Sequence, residues 1–297
     1  MTTIPVARWC AALLLIAGLT GCQDGTDPPP PPAKPTFANW PEALNGLRFR
    51  WTAEPGIDLL TGPAVPLRAY LESHRTGDFT LNPNTVYPGF QRAVPPGPPN
   101  GESFPSEPYQ LWYVQPFTDP RFAFGPAGKF YGNEYFHVLD LTPSDGGFRA
   151  YVCDGTYNVF RQGNAANVFE PVHTPTEHTP NADEQAMDVW RIELTDHPSP
   201  PDLQTPAAVT APQLGPQPAP LGDIFGPWHI TGANPSTTWG PSGDPKSGPD
   251  DHFLQLKKQY LDKMPHDAEQ RKGFYTSHPT SPPVAEPAVP GWPGETA

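Results

Sequence analysis

The chain has 297 residues, of which 31 are acidic and 18 basic, and its formal net charge is −13 at neutral pH. Such an acidic protein is unsuited to nucleic acid or to electrostatic attachment to anionic lipids. The 46 prolines and 27 glycines predict many loops, yet a hydrophobic fraction of 36% with 16 Phe, 10 Tyr and 8 Trp is enough for a packed core.

Residues 1–21 have the pattern of an export signal. Arg8 supplies positive charge, Ala11 to Ala17 is unbroken apolar sequence, and Leu19-Thr20-Gly21-Cys22 follows. The apolar run is too short for a stable transmembrane span. The tetrapeptide resembles a bacterial lipobox, which implies cleavage before Cys22 and acylation of its sulfur. The protein is therefore expected to attach to the membrane through the lipid on Cys22, at the outer face of the cell membrane.

Residues 22–36 are predicted to form a lipidated, proline-rich tether, because Pro28 to Pro32 favour an extended polyproline II conformation. Residues 37–297 are predicted to form a single α+β domain with a proline-rich C-terminal extension. Cys153 is the one cysteine within this range. On a strand between Val152 and Asp154, we interpret it as a small buried hydrophobe and not as a nucleophile.

The first elements of the domain follow from alternation and helical spacing. Leu47–Trp51 alternates like a short strand. A helix is predicted to begin around Gly62 and to continue to about His74, with Gly77 as its stop. Tyr109–Val114 is predicted to be another strand.

A hairpin is predicted at the centre of the chain, with strands Tyr135–Leu141 and Phe148–Asp154 around a loop rich in turn-forming residues. If Leu141 lies opposite Phe148, then His137 shares one face with Tyr135 and Asp154, and Cys153 points to the other. That face changes from apolar to polar along its length and so predicts the floor of a pocket.

The C-terminal part is predicted to contain one more main strand, Met187–Thr195, followed by a proline-rich linker over residues 198–222. The apolar stretch Ile224–Ile230 is expected to pack back on the domain. A helix is predicted from Asp250 or Asp251 to Met264, a short turn over residues 267–274, and an extended tail after that.

Two resemblances can be stated. The lipobox together with RAYLESHRTGDF, YPGFQRAVP, YGNEYFHVLDL, YVCDGTYNVFR, DIFGPWHITG and PPVAEPAVPGWP resembles a group of actinobacterial, mycobacterial-type envelope lipoproteins, which brings no known activity with it. The order of a helix before a bent antiparallel sheet with hairpins is similar to the SnoaL-like (nuclear transport factor-like) superfamily. That resemblance implies a cone with a pocket between helices and sheet.

Three clusters of polar side chains are candidate functional sites. His137 with Asp154 and Tyr135 is open to three interpretations: a general acid–base pair, a polar pocket lining, or an ordinary strand end. His173, Glu177 and His178 suit zinc by type, but Pro175 and the loop setting give no rigid ligand set. Asp250, Asp251 and His252 are interpreted as helix-cap residues. No nucleotide-binding or metalloprotease motif occurs, so no cofactor is expected.

The sequence favours a membrane-anchored lipoprotein whose domain binds a small apolar ligand or an envelope protein without catalysis. One alternative is an isomerase, dehydratase or hydrolase of the SnoaL-like kind that uses His137 and Asp154. The other is a structural spacer or adaptor, which predicts a filled interior and a flat apolar patch near Ile224–Ile230.

Overall fold

The computed structural model describes residues 36–97, 107–144, 146–165, 167–173, 182–198, 206–235, 238–241, 244, 248 and 251–294. Within the compact unit Pro35–Ala297 the fold is α+β, as predicted. The helices are α1 (Ala64–Thr80), α2 (Phe90–Ala93), α3 (Ala182–Gln185), α4 (Asp251–Lys257) and α5 (Ala268–Tyr275). The strands are β1 (Gly46–Ala53), β2 (Phe130–Ser144), β3 (Gly147–Gln162), β4 (Phe169–Pro171), β5 (Met187–Thr195) and β6 (His229–Asn234).

The long β2–β3 hairpin is the centre of a six-stranded sheet in the order β1-β2-β3-β5-β6, and β4 pairs with the far end of β3. β1 is parallel to β2, whereas all other pairs are antiparallel. The expected purely antiparallel sheet is therefore wrong at this edge, because the chain between β1 and β2 includes α1 and forms the long crossover that parallel strands need.

The predicted hairpin register is wrong. The strands pair as far as Ser144 opposite Gly147, and Leu141 lies opposite Ala150, not Phe148. The predicted register would place Asp140 opposite Arg149, where the two side chains could form an ion pair. In the structure each of these residues has a partner from a distant part of the chain.

Arg149 Nε donates to Glu193 Oε1 of β5 at 2.7 Å, and Asp140 Oδ2 pairs with His252 Nε2 of α4 at 2.7 Å. The register changes again at Leu139, an extra residue of β2 between two paired positions. Such a bulge reverses the relation between the faces of two strands. His137 is consequently opposite Cys153, and Asp154 is opposite Phe136.

The two faces of the sheet carry separate apolar clusters. The larger one contains most of the apolar side chains of α1 together with β1 residues and members of β2, β3 and β5 such as Phe136, Val152 and Trp190. The smaller one lies under the C-terminal helices and includes Tyr135, Cys153 and Phe253. Cys153 is free and fully buried, as predicted, and burial raises the pKa of its thiol well above the ordinary value.

Helix α1 is buried from Ala64 to Phe79. It begins where predicted but continues past Gly77, because Leu81 adopts the left-handed conformation and donates its N–H to the carbonyls of Gly77 and Asp78. Gly77 allows a close contact between α1 and Pro116, because a Cβ at this position would lie 2.4 Å from the Cβ of Pro116.

Other boundaries differ from the predictions. Tyr109–Leu111 is a short 3-10 turn and not part of a strand, since Leu111 N–H bonds the carbonyl of Pro108. β5 is not the last strand, because β6 pairs with it. The helix predicted to reach Met264 ends at Lys257, and a separate 3-10 turn, Tyr260–Lys263, follows it. Phe253 and Tyr260 are thereby both buried against the sheet.

The proline-rich segments that the structure describes contain residues that pack on the domain. Trp292 is 1% exposed, and its Nε1 donates to Glu72 Oε2 at 2.7 Å. Gln217, in the expected linker, exchanges backbone hydrogen bonds with Trp292. Ile224 and Phe225 are buried, so the prediction that this stretch packs on the domain is confirmed. Within the described ranges, none of the helices combines the length and apolarity that crossing a bilayer requires.

Candidate functional site

A cavity of about 260 Å³ lies between α1, the segment 113–124, and the α1-facing side of β3 and β5. We call it the Arg75 cavity. Aromatic side chains form much of its wall, and ionisable side chains form the rest: Tyr113, Phe117, Phe122, Phe124 and Trp190; Arg75, Asp78, Asp154, His173 and Asp188. The site therefore combines an apolar surface with several charges.

Arg75 of α1 is at the centre of these charges. Its Nε donates to Glu134 Oε1 at 2.8 Å, its Nη1 donates to Asp78 Oδ2 at 3.1 Å, and its Nη2 donates to Asp154 Oδ2. The adjacent carboxylates raise the pKa of the guanidinium, against the effect of burial. Every guanidinium nitrogen is therefore bonded to a carboxylate of the protein.

Asp78 joins α1 to the segment that covers the cavity. Its Oδ1 accepts the backbone N–H of Phe117 at 2.7 Å, and its Oδ2 lies 2.9 Å from His74 Nδ1. His74 Nε2 lies 2.9 Å from the carbonyl oxygen of Tyr113. Because both of these neighbours are acceptors, His74 makes the two bonds together only when each ring nitrogen carries a proton.

Glu134 and Asp154 form a coupled pair of buried carboxyls behind Arg75. Burial, followed by the charge of Asp154, raises the pKa of Glu134 well above its ordinary range. No donor reaches Glu134 Oε2 or Asp154 Oδ1 within the described part of the chain. A proton held by Glu134 can be donated to one lone pair of Asp154 Oδ1, and the second lone pair stays open.

Asp188 lies directly opposite Asp154 across the β3–β5 ladder. Asp188 is exposed to solvent and also lines the cavity. Desolvation by the neighbouring protein, followed by the charge of Asp154, raises the pKa of Asp188 to about 6. Burial and then the charge of Arg75 lower the pKa of His173 to about 4, so its imidazole is neutral at pH 7.

The predicted pair of His137 and Asp154 does not exist, because the bulge at Leu139 places the two residues on opposite faces of the sheet. Asp154 lines the Arg75 cavity. His137 is on the other face, where Nδ1 lies 2.8 Å from Thr52 Oγ1 and Nε2 lies 3.3 Å from Glu54 Oε1. Burial lowers the pKa of His137, against hydrogen bonding to Glu54.

Tyr135 is also separated from Asp154. Its ring stacks on Tyr157 with centroids 5.4 Å apart, and its hydroxyl accepts from Asn158 Nδ2 at 3.3 Å. Tyr135 lines a second cavity of about 200 Å³, together with residues that include His266 and Glu286. The predicted pocket floor is thus divided between the two sides of the sheet.

The remaining candidates have other surroundings. His173 lines the Arg75 cavity, whereas Glu177 and His178 lie outside the described residues. The described ranges contain no group of three or more His, Cys, Asp or Glu side chains that could hold a metal ion. Asp251 is the first residue of α4, and Asp250 lies outside the described residues.

Arg75, Asp78 and Glu134 were not predicted as site residues from the sequence. One signal was present: His74 and Asp78 are spaced i, i+4, and Arg75 and Asp78 are spaced i, i+3, which are positions of contact on a helix. A helix that is charged on one side and apolar on the other is usually half exposed. Here both sides are buried, and the charges face the strands.

Comparison with known proteins gives no assignment: no family model matches the chain, and neither curated proteins nor solved structures show a significant similarity to it.

Proposed function

We propose that this protein is a lipid-anchored lipoprotein of the cell envelope whose domain binds a small ligand with a largely apolar body in the Arg75 cavity. One observation carries the proposal: a space of about 260 Å³ is lined by aromatic side chains together with several ionisable groups. Pockets of this kind, apolar with a few converging polar groups, are typical binding sites for small molecules.

The anchor belongs to the proposal through the lipobox-like sequence that ends at Cys22. Two signals are normally needed to hold a protein stably on a membrane if each is a single acyl chain. The cysteine of a lipoprotein carries diacylglycerol, which supplies two chains at one residue. The acidic composition makes no electrostatic contribution to this attachment.

The spacer alternative is less well supported than ligand binding. It expects a filled interior and a flat apolar patch near Ile224–Ile230. Phe225 and Ile230 are instead buried in the core, and the interior has the Arg75 cavity. An envelope protein as partner remains the other form of the binding proposal.

A second candidate keeps the enzyme class but changes the residues. Asp154 lines the cavity next to Glu134, whose raised pKa favours its protonated form. Such a pair of carboxyls is suited to acid–base chemistry on a bound ligand. An isomerase or dehydratase would then depend on Asp154 and Glu134, and not on His137.

The finer form of the fold, a SnoaL-like cone, also belongs to the proposal. It is supported by the position of the Arg75 cavity between α1 and the sheet, and by the two register shifts in the β2–β3 ladder. Bulges bend strands in this way. A crystal structure with a flat sheet would contradict the cone.

Native mass spectrometry of the full-length protein, purified from its own host's envelope in a mild detergent, tests the binding proposal. We expect a reproducible mass increment beyond the lipid anchor. Ala123→Trp, which fills the cavity at its lining, should abolish the increment. Ala208→Trp is the matched control, since Ala208 is exposed and does not line the cavity. If none of the three proteins shows a mass increment beyond the lipid anchor, small-molecule binding is contradicted.

A further inference from the structure

The charges around the Arg75 cavity do not balance. His74 and Asp78 pair with each other, and Arg75 is paired with Asp154. Glu134 accepts a hydrogen bond from Arg75 Nε. These contacts give three of the four carboxyl groups a basic partner among the described residues. The carboxylate of Asp188 is the one that remains.

Asp188 has no hydrogen-bond or ion-pair partner among the described residues. The charges that act on it come from Asp154 on β3, Arg75 on α1 and Lys257 on α4. Arg75 is already bonded to three carboxyl groups. Among the described residues, Lys257 forms no ion pair with Asp188. The cavity therefore keeps one carboxyl group, that of Asp188, without a counter-ion among the described residues, at its solvent-reachable side.

The pairing of β3 with β5 makes this arrangement unfavourable in the empty protein. Asp188 and Asp154 are direct cross-strand neighbours, and like charges in such positions destabilise a sheet. A cation placed between the two carboxylates would remove the repulsion. Asp154 is 1% exposed, and its Oδ1 has no described donor except the proton that Glu134 can supply.

The aromatic walls favour the same type of ligand. Trp190 and Phe124 already have the Arg75 guanidinium near their ring centroids, at 5.4 and 5.0 Å. Phe117, Phe122 and Tyr113 add further rings to the lining. Ring faces attract organic cations, with an energy that increases when the cation is desolvated.

Two other ligand classes fit less well. An anion would need Arg75, but all three guanidinium nitrogens donate to carboxylates, and the remaining charge of the cavity is negative. A metal ion would need a cluster of ligands that the described ranges do not contain. A neutral apolar ligand would leave Asp188 without a counter-ion.

We infer that the ligand of the Arg75 cavity is a small organic monocation, a protonated amine with an apolar or aromatic body. Its N–H groups bond the Asp188 carboxylate and Asp154 Oδ1, and its body packs against the aromatic walls. This inference rests on the proposed function, because it specifies the chemical class of ligand for the same cavity.

Isothermal titration calorimetry on the full-length protein tests the inference with three probes of similar shape: phenethylammonium, neutral phenethyl alcohol and anionic hydrocinnamate. At pH 7.5 or above, we expect the cation to bind at least about tenfold more tightly than the alcohol, and the anion not to bind. Asp188→Asn should reduce the preference for the cation to less than about twofold.

The control is Asp262→Asn, which removes one exposed acidic charge that does not line the cavity and should leave the preference unchanged. Equal or tighter binding of the alcohol that Ala123→Trp abolishes would overturn the inference and leave the proposed function standing. Loss of binding for all three probes, with no native ligand increment, would overturn both. If Asp188→Asn and Asp262→Asn reduce the preference for the cation equally, the preference arises from net charge, and the role of Asp188 is overturned.

Discussion

Asp188 is a residue whose charge costs stability when the cavity is empty. Its carboxylate faces Asp154 across two strands, and its pKa is raised to about 6 by burial and by that neighbour. A carboxyl with a raised pKa binds its proton more tightly in the folded state than in the unfolded chain. The folded state therefore loses stability as the pH rises from the unfolded pKa of about 3.9 to about 6.

Asp188→Asn should accordingly stabilise the ligand-free protein above about pH 6. We expect a gain in the free energy of unfolding of up to about 1 kcal/mol, since water reaches the carboxylate and screens the repulsion. Below about pH 4 the gain should disappear, because Asp188 is then protonated in both states. Urea unfolding followed by circular dichroism at several pH values measures this. A variant less stable than the parent at pH 7 would contradict the repulsion between Asp188 and Asp154.

The residue scale is also where prediction from sequence failed most clearly. The alternation of the hairpin strands was readable, but the face of each side chain depends on the register, and one extra residue at Leu139 reverses it. In the structure Arg149 and Asp140, which the predicted register would pair with each other, bond Glu193 and His252 instead. No local pattern in the hairpin contains that information.

At the scale of elements, α1 determines the site because it provides His74, Arg75 and Asp78 from consecutive turns. It approaches the segment 113–117 so closely that position 77 has room only for glycine. The backbone N–H of Phe117 is bonded to Asp78 in the same region. The contact between helix and segment therefore supports one wall of the Arg75 cavity.

Gly77→Ala should destabilise the protein although alanine is the better helix former. The new Cβ would lie 2.4 Å from the ring of Pro116, and overpacking of this kind typically costs about 1–3 kcal/mol. Gly273→Ala in α5 is the matched control. Nothing lies within 4 Å of its added Cβ, so the same change should stabilise by about 0.5–1 kcal/mol. Thermal unfolding of both variants measures the contrast; stabilisation by Gly77→Ala would contradict the close contact.

The elements that were predicted correctly are those with a periodicity of their own. β1, β5 and the first turns of α1 show alternation or helical spacing. β6 was missed because its residues, His229–Asn234, combine a short apolar start with Gly232 and have no alternation of sufficient length. This segment forms a strand because it pairs with β5, although its own sequence does not predict one.

At the scale of the whole molecule, the expected attachment to the membrane depends on a single residue. Cys22→Ser should abolish incorporation of a fatty-acid label into the protein in its host, because the thiol is the acceptor of the lipid. Cys10→Ser is the matched control and should keep the label, since Cys10 precedes the expected cleavage point. Metabolic labelling followed by immunoprecipitation measures both. Label retained by Cys22→Ser would contradict the lipobox interpretation.

The C-terminal segment makes hydrogen bonds to α1, which is synthesised much earlier. Arg68 Nη2 donates to the carbonyl of Pro290, 222 positions away, and Trp292 donates to Glu72 across 220 positions. Ribosomes build chains from the N-terminus, so α1 is made long before these partners. While residues 290–292 are still in a ribosome or translocation channel, the domain has a gap where Trp292 belongs, and Glu72 lacks one of its donors. These contacts have long sequence separations, and a fold that depends on such contacts forms slowly.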